Sequence, residues 1–315
     1  MSNKLDIILF GATGFTGKRT IPKLHQIITS ERLSLTWGIA GRSEQKLKHT
    51  LKEIEENNGS ICFINIFYGE PIVKACLVTS THYLDVTGEP EFMEKIQLYY
   101  HEEAFKKQIY LISSCGMDSI PCDMGAIFMM KNFKGTLNSI EAFIHITEEG
   151  GSHPGPTLNY ATWASAVHGL ANYEKLTEIR SKLFLNRLPR YKPNLKLKLF
   201  SLGSFTLGGP SEEKQKTSLY NLYLEGEGWS EKLSEPTDQF KSPPNKTISV
   251  KVTTRNPAYG ATCTAAVLSA IMILTESDKM PNGGGCYTPG VAFANTSLIQ
   301  KLDKYGMKFE IRSKL

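Results

Sequence analysis

Three glycines, Gly11, Gly14 and Gly17, stand between the apolar run Ile7-Ile8-Leu9-Phe10 and the amphipathic run that follows, and this order constrains the fold more than any other part of the chain. A short apolar run ending in glycine reads as a buried strand entering a tight turn. Strand, glycine turn and helix in succession open a βαβ unit of the dinucleotide-binding kind. The first glycine permits the turn, the second lets the backbone approach a pyrophosphate, and the third lets the helix pack closely on the strand. Unpaired N–H groups and the helix dipole at such a helix start favour phosphate. The candidate cofactor-binding set is therefore Gly11, Ala12, Thr13, Gly14, Phe15, Thr16 and Gly17. The spacing, G-x-x-G-x-x-G, is one residue longer at the front than the commonest form, and the alternative is that the glycines only shape a turn.

The second strand ends in Ala40-Gly41-Arg42-Ser43, where NAD enzymes usually present a carboxylate to the ribose hydroxyls. With no Asp or Glu there, Arg42 can pair with a 2′-phosphate and Ser43 can add a hydrogen bond, which favours NADP over NAD. The alternative role for Arg42 is a solvated residue in a loop.

The first half alternates short β-rich runs with helical patterns. Strands are predicted at 6–10, 35–40, 60–65, 82–86 and 109–113, and helices at 14–28, 44–56, 71–79, 90–106 and 121–130. Each of the last three helices opens on proline, which suits a first turn. Pro22 falls inside the first helix, so that helix is expected to bend or to start late. Beyond Gly135 come strands at 139–147, 195–199, 219–224 and 248–253, an exposed loop at 226–245, a helical run at 261–276 and the triple glycine 283–285. The fold class is α/β, a Rossmann-like parallel sheet with a second α+β domain. The expected division is 1–135 for cofactor, 136–255 for substrate and 256–315 as a C-terminal segment.

Composition narrows the function classes. The net charge of +5 comes from 36 basic and 31 acidic residues, which argues against a nucleic-acid partner. The 6 cysteines form no C-x-x-C pair and read as reduced thiols. The histidines, including His145, His153 and His168, show no i, i+4 pairing, so no metal site is expected. The N-terminus has no signal-like apolar core, and the longest apolar run, 265–274, is short of the ~20 residues a membrane span needs. A cytoplasmic location is expected. Between Arg180 and Phe200 stand 7 basic residues and no acidic one, read as a solvated face, with an anionic membrane surface as the alternative partner.

Ligands in open α/β sheets bind beyond the carboxyl ends of the strands. That directs attention to the loops 85–90 and 113–123. Glu89 and Asp123 can also serve as helix caps, and Cys115 reads as packing. None of the 13 tyrosines has lysine four residues later, so the acid pair of short-chain dehydrogenases is absent. His168 remains as a possible proton donor.

Taken together, FGATGFTG (10–17), AGRS (40–43), FYGEPIVKAC (67–76), DVTGEPEF (85–92), SSCGMDSIPCDMG (113–125), TWASAVHG (162–169) and GGGCYTPGVAF (283–293) resemble the saccharopine dehydrogenase-like oxidoreductases, relatives of saccharopine reductase and of trans-acting enoyl reductases of glycolipid synthesis. The resemblance implies Gly11, Gly14, Gly17, Arg42 and Ser43 at the cofactor. It implies Tyr68, Glu70, Thr87, Gly88, Glu89, Asp118, Ser119, Thr162, Ser165 and His168 around the crevice, and a C-terminal segment that packs back on the first domain.

Two departures stand out. Family members carry roughly one further βαβ unit before the YGEP motif, including a strand that ends beside the nicotinamide, and here only 60–67 fills that interval. The hydrophobic stretch that animal members insert, read as a lipid-droplet or membrane anchor, is absent near 208–214. Both gaps have the character of a spliced or mispredicted gene product, and they imply an incomplete sheet with an exposed edge. The resemblance implies an NADP-dependent reductase acting on a small or lipid-like substrate, with lipid-droplet or membrane association. The alternative is a catalytically silent nucleotide-binding protein at lipid surfaces, or an inactive truncated isoform.

Overall fold

The computed structural model describes residues 4–53, 60–63, 69–117, 119–150, 158–184, 205–206, 211–233 and 240–312. The first half runs β1 (Ile7–Phe10), α1 (Phe15–Ser30), β2 (Trp37–Gly41), α2 (Glu44–Glu53), β3 (Ser60–Phe63), α3 (Gly69–Thr79), β4 (Tyr83–Leu84), α4 (Pro90–Lys106), β5 (Tyr110–Ile112) and α5 (Ile120–Asn132). It continues through β6 (Thr136–Glu148), β7 (Leu158–Asn159), α6 (Tyr160–Ala171), α7 (Tyr173–Leu183), β8 (Phe205–Thr206), α8 (Glu212–Thr217), β9 (Ser218–Trp229) and β10 (Lys246–Arg255). The last stretch holds a wide π turn at Pro257–Ala261, then α9 (Thr262–Thr275), β11 (Gly285–Tyr287), α10 (Pro289–Phe293), α11 (Leu298–Lys304) and β12 (Lys308–Arg312).

All five residues of β2 are buried, as a parallel strand covered on both faces requires. In α1 the buried set Thr20, Ile21, Leu24, Ile27 and Ile28 forms one stripe at helical spacing. Pro22 lies on the exposed side of that stripe, and α1 neither starts late nor stops there. Its missing N–H frees a carbonyl on the solvent side, where water can serve it. Helix α3 begins two residues before Pro71, which therefore sits within the first turn, where its N–H would have had no intrahelical partner.

The parallel strands form two three-stranded sheets, β1-β2-β3 and β11-β5-β4, and a separate pair, β7-β8. Among the described residues β1 pairs only with β2, and β4 only with β5. Ile8, in the middle of β1, is 46% exposed, a value that fits an edge strand rather than the centre of a covered sheet.

A four-stranded sheet is antiparallel, in the order β12-β10-β9-β6. Here β9 continues to Trp229, so 226–229 is strand and not the expected loop. The two glycines in this stretch are there for close approach. A Cβ at Gly228 would lie 2.1 Å from the Thr136 carbonyl oxygen, and one at Gly226 would lie 2.4 Å from Met129 Sδ. The predicted strand at 195–199 lies outside the described residues.

The C-terminal segment joins both sheets. Gly283, Gly284 and Gly285 have φ of +86°, +76° and +125°, which only glycine adopts without strain, and this turn delivers β11 parallel to β5. Helix α9 packs on α1 and α11, while β12 closes the far edge of the antiparallel sheet. The π turn and α9 form one 19-residue helical stretch, apolar and long enough to cross a membrane by composition, and 67% of its most apolar window is buried in this core. It is longer than the apolar run that the sequence suggested.

Glu31, at the end of α1, fixes α11 in place. Its carboxylate, 10% exposed, accepts from Lys301, from Lys304 at 2.6 Å and from the Tyr305 hydroxyl at 2.9 Å. Lys301, then Lys304, hold that carboxyl at about 2, well below the ordinary value of 4.5. A carboxyl depressed on folding stabilises above its unfolded pKa and loses that contribution as pH falls from about 4.5 towards about 2. Glu31→Gln is expected to cost about 2 kcal/mol at pH 7 in urea unfolding. The difference from the parent should shrink as the measurement is moved down through that window.

Candidate functional site

The turn after β1 is built by backbone bonds. The Gly11 N–H donates to Ala40 at 3.1 Å, joining the turn to β2, and the Gly14 N–H donates to Gly11 at 2.9 Å. Gly11 has φ +80°, and a Cβ added there would meet nothing within 4 Å, so the space above the turn is open. At Gly17 the opposite holds: a Cβ would lie 2.2 Å from the Gly11 carbonyl oxygen and 2.8 Å from Ala12 Cα. Ala12 is fully buried under this contact. Helix α1 starts with Gly14 as its cap, with no side-chain hydrogen bond to its first N–H groups and no acidic residue in its first turn. These orphan donors and the positive end of the dipole suit an anion.

Not every residue of the glycine segment faces that opening. Phe15 packs edge-on against Tyr259 of the π turn, with ring centroids 4.6 Å apart, and the Arg19 guanidinium lies 3.8 Å over the Phe15 ring. The Thr16 carbonyl accepts from the Thr20 hydroxyl at 3.0 Å, and that hydroxyl is also 3.2 Å from the sulfur of buried Cys263 on α9. Phe15 and Thr16 therefore bind the cradle to the C-terminal segment. Thr13 lies in the turn itself, partly exposed. At the end of β2, Arg42 is exposed, and Ser43 caps α2, its hydroxyl accepting from the Lys46 N–H at 3.4 Å.

The two crevice loops are joined by a residue the sequence reading had not singled out. One oxygen of Asp85 accepts from the N–H groups of Thr87 and Ser114, both at 2.9 Å. The other accepts from the Tyr83 hydroxyl at 2.8 Å and the Ser113 hydroxyl at 3.0 Å. Ser114 is held at φ +61°, a left-handed conformation that costs a non-glycine residue ~1 kcal/mol or more. Its hydroxyl donates to the Thr87 carbonyl at 2.5 Å, so this strained residue closes the ring between the loops.

Helix α6 is attached to the first loop, where the Ser165 hydroxyl donates to Glu89 at 3.1 Å. Helix α7 is attached to α4 by Arg180, whose guanidinium reaches both oxygens of Glu94 at 2.6–3.0 Å.

No protein-family model matches the chain. A human saccharopine dehydrogenase-like oxidoreductase is 28% identical over 426 aligned positions, covering 98% of this chain and 97% of the relative. A Caenorhabditis elegans lipid droplet localized protein is 24% identical, covering 99% of both chains. Over nearly its whole length the chain is similar to saccharopine dehydrogenase-like oxidoreductases. Among solved structures, saccharopine dehydrogenase (L-Glu forming) from Saccharomyces cerevisiae superposes with a TM-score of 0.53 at 10% identity, over 98% of this chain and 100% of that one, which is a likeness of fold. The human alignment is longer than the 315 residues here, so that family member carries segments with no counterpart in this chain.

The structure brings some of the family-motif residues together and not others. Thr87, Glu89 and Ser165 meet, with the Glu89 N–H donating to the Thr87 hydroxyl at 3.2 Å, and Gly88 is exposed between them. Ser119 precedes α5 and accepts from the Asp123 N–H at 2.8 Å. Thr162 and His168 are exposed on α6. Glu70 is committed elsewhere, binding α3 to α4 through Lys95 and the Tyr100 hydroxyl, both at 2.6 Å. Lys95 first and Tyr100 second hold its carboxyl at about 2. Tyr68 and Asp118 lie outside the described residues.

Asp123 accepts from the Gly290 N–H at 2.8 Å, which makes it a cap for α10. Cys115 is fully buried, and burial pushes its thiol up, as expected of a packing cysteine. Among the described residues no cluster of His, Cys, Asp and Glu has the grouping a metal ion needs.

Asp85 stood at the head of the crevice loop 85–90 and of the DVTGEPEF motif, but it was not singled out as a site residue. Asp85→Asn turns one acceptor oxygen into a donor facing donors. It is expected to lower stability by about 2 kcal/mol in chemical unfolding, whereas Glu89→Gln should change it by less than about 1 kcal/mol.

Proposed function

We propose that this chain is an NADP-dependent reductase acting on a lipid-like substrate, with cofactor held by residues 1–135 and substrate by residues 136–255. Oxidoreductases of this kind bind a nicotinamide dinucleotide. The observation that carries the reading is the pairing of the open turn at Gly11 with an uncapped α1 N-terminus, and Arg42 beyond the end of β2. The cradle fits a pyrophosphate: space is open where phosphate would sit and closed where α1 must touch the turn. When bound, the nicotinamide supplies the hydride. The N–H groups at the start of α1 would hold the phosphates, and Arg42 with the Ser43 hydroxyl would bind the 2′-phosphate. The Asp85-centred loops and Ser165 would shape the crevice and keep solvent from the reacting face.

The name of the Caenorhabditis elegans relative supports placement at lipid droplets. A second reading is a nucleotide-binding protein without turnover. It is favoured by the edge of β1 beside the cradle, which has no partner strand among the described residues and which we take as the place of a missing βαβ unit.

Titration of the full chain with NADPH and NADH, followed by nicotinamide fluorescence, tests the cofactor assignment. Arg42→Ala is expected to weaken NADPH by about 10- to 100-fold, the loss of one or two charge-assisted bonds, and to leave NADH nearly unchanged. Gly17→Ala should abolish both. Equal weakening of the two cofactors by Arg42→Ala would overturn the NADP assignment, and NADPH binding without oxidation of NADPH by any enoyl or keto lipid would favour the silent reading.

A further inference from the structure

The π turn that precedes α9 is held in a backbone conformation that costs strain. Asn256, just before it, has φ +48° and ψ +57°, a left-handed conformation that only glycine adopts freely. Its N–H donates to the Ser218 carbonyl of β9 at 3.0 Å, and its side-chain oxygen accepts from the Gly260 N–H at 3.2 Å. A Cβ at Gly260 would lie 2.8 Å from the Asn256 side-chain nitrogen, so the turn closes only with glycine there. π turns and strained residues of this kind gather at functional sites.

Contacts run from this turn and from the residues just after it to the start of α1. The Tyr259 ring, 4% exposed, is the one that meets Phe15 edge-on. Phe15, the first residue of α1, is also held by Arg19, whose guanidinium lies 3.8 Å over the ring and donates to the Phe15 carbonyl at 3.0 Å. Two residues past the turn, the sulfur of Cys263 lies 3.2 Å from the Thr20 hydroxyl and 3.7 Å from the Thr16 carbonyl. Phe15 and Thr16 carry two of the N–H groups that the start of a helix leaves without an intrahelical partner. The direction of those groups is set from the α9 side as well as by the contact at Gly17.

The same turn leads to the second crevice loop. Thr262, the first residue of α9, accepts from the Met117 N–H at 3.4 Å. A Cβ at Gly116 would lie 3.2 Å from the Thr262 methyl group and 3.2 Å from Val86 of the first crevice loop, so both loops and α9 crowd together at this glycine. The turn therefore spans the interval between the helix start suited to phosphate and the loops at the crevice.

We infer that Tyr259 is a positioning residue for the anion-binding start of α1: through Phe15 it sets the direction of the free N–H groups, and through its neighbour Thr262 it fixes their distance from the crevice. For the dinucleotide the assignment rests on the reductase reading; the hold of Tyr259 on the helix start belongs to the chain itself and is measured without ligand. Tyr259 acts on the pyrophosphate end, which NADPH and NADH share, so its loss weakens both. That pattern differs from the selective loss expected of Arg42→Ala.

The full chain is titrated with NADPH and with NADH, and its amide hydrogen exchange is followed without ligand. Tyr259→Leu is expected to weaken both cofactors about tenfold, the loss of a preorganised site, and Tyr259→Phe, which keeps the ring, should bind as the parent does. Phe15→Leu should give the same loss, and the double variant no more than either, because both break one contact. Met272→Ala, in the core at the far end of α9, is the control: it lowers stability and should leave both affinities unchanged. Without ligand, Tyr259→Leu should speed exchange at Lys18, whose N–H donates to Gly14, and at Ile120, whose N–H donates to Gly116, beyond any increase in Met272→Ala. If the parent binds neither dinucleotide, the reductase reading fails, and the exchange alone decides the role of Tyr259. Three results would overturn that role. They are exchange at Lys18 no faster in Tyr259→Leu than in Met272→Ala, cofactor affinity unchanged by Tyr259→Leu in a parent that binds, and equal weakening by Tyr259→Phe and Tyr259→Leu.

Discussion

The contact between Gly17 and the Gly11–Ala12 backbone sets the geometry on which the rest of the molecule depends. Any side chain at residue 17 would have to occupy the space of a carbonyl oxygen, so α1 can lie this close to β1 only with hydrogen at that position. From that contact follow the direction of the N–H groups at the start of α1 and the burial of Ala12. The seating of Phe15 on the π turn and the packing of α1 along α9 follow as well. The direction of the N–H groups at the start of α1 and the attachment of the C-terminal segment are two consequences of one close approach.

The second organising element is a polar ring. A carboxylate that accepts four hydrogen bonds, two on each oxygen, has little freedom left, and Asp85 uses that rigidity to join two loops from successive strands. The left-handed Ser114 is tolerated because both its N–H and its hydroxyl are engaged. Strain at the carboxyl end of a parallel strand, fixed by surrounding bonds, is a feature that clusters at functional sites. Helices α6 and α7 are tied to this region from outside by Glu89 and Glu94, so the crevice and the second half of the chain are mechanically coupled.

Much of the first half was legible in the sequence because buried parallel strands are short apolar runs bounded by glycine or proline, and the helices between them carry clear stripes. The errors have physical causes. Pro22 was expected to bend α1 or delay its start, but the helix begins at Phe15 and runs through it, since a proline on the solvent face loses one hydrogen bond that water can replace. Gly226 and Gly228 were read as loop, but they are glycines because Met129 and the Thr136 carbonyl come too close for a side chain. Glu70 was carried to the crevice by its motif, while its partners Lys95 and Tyr100 lie on the neighbouring helix. Asp85 lay in a motif the sequence offered, but its role could not be read there, because Ser113 and Ser114 are brought to it only by the tertiary fold. The glycine turn before α1 was legible in the sequence, since it depends on local backbone shape.

Amide hydrogen exchange with and without saturating NADPH tests the central claim most directly, because it reports where the ligand sits. Slowed exchange confined to residues 13–18 and 42–46, with the rest of the chain unchanged or nearly so, is the result this account predicts. Binding of NADPH with no protection at the start of α1, or with protection located elsewhere, would contradict it.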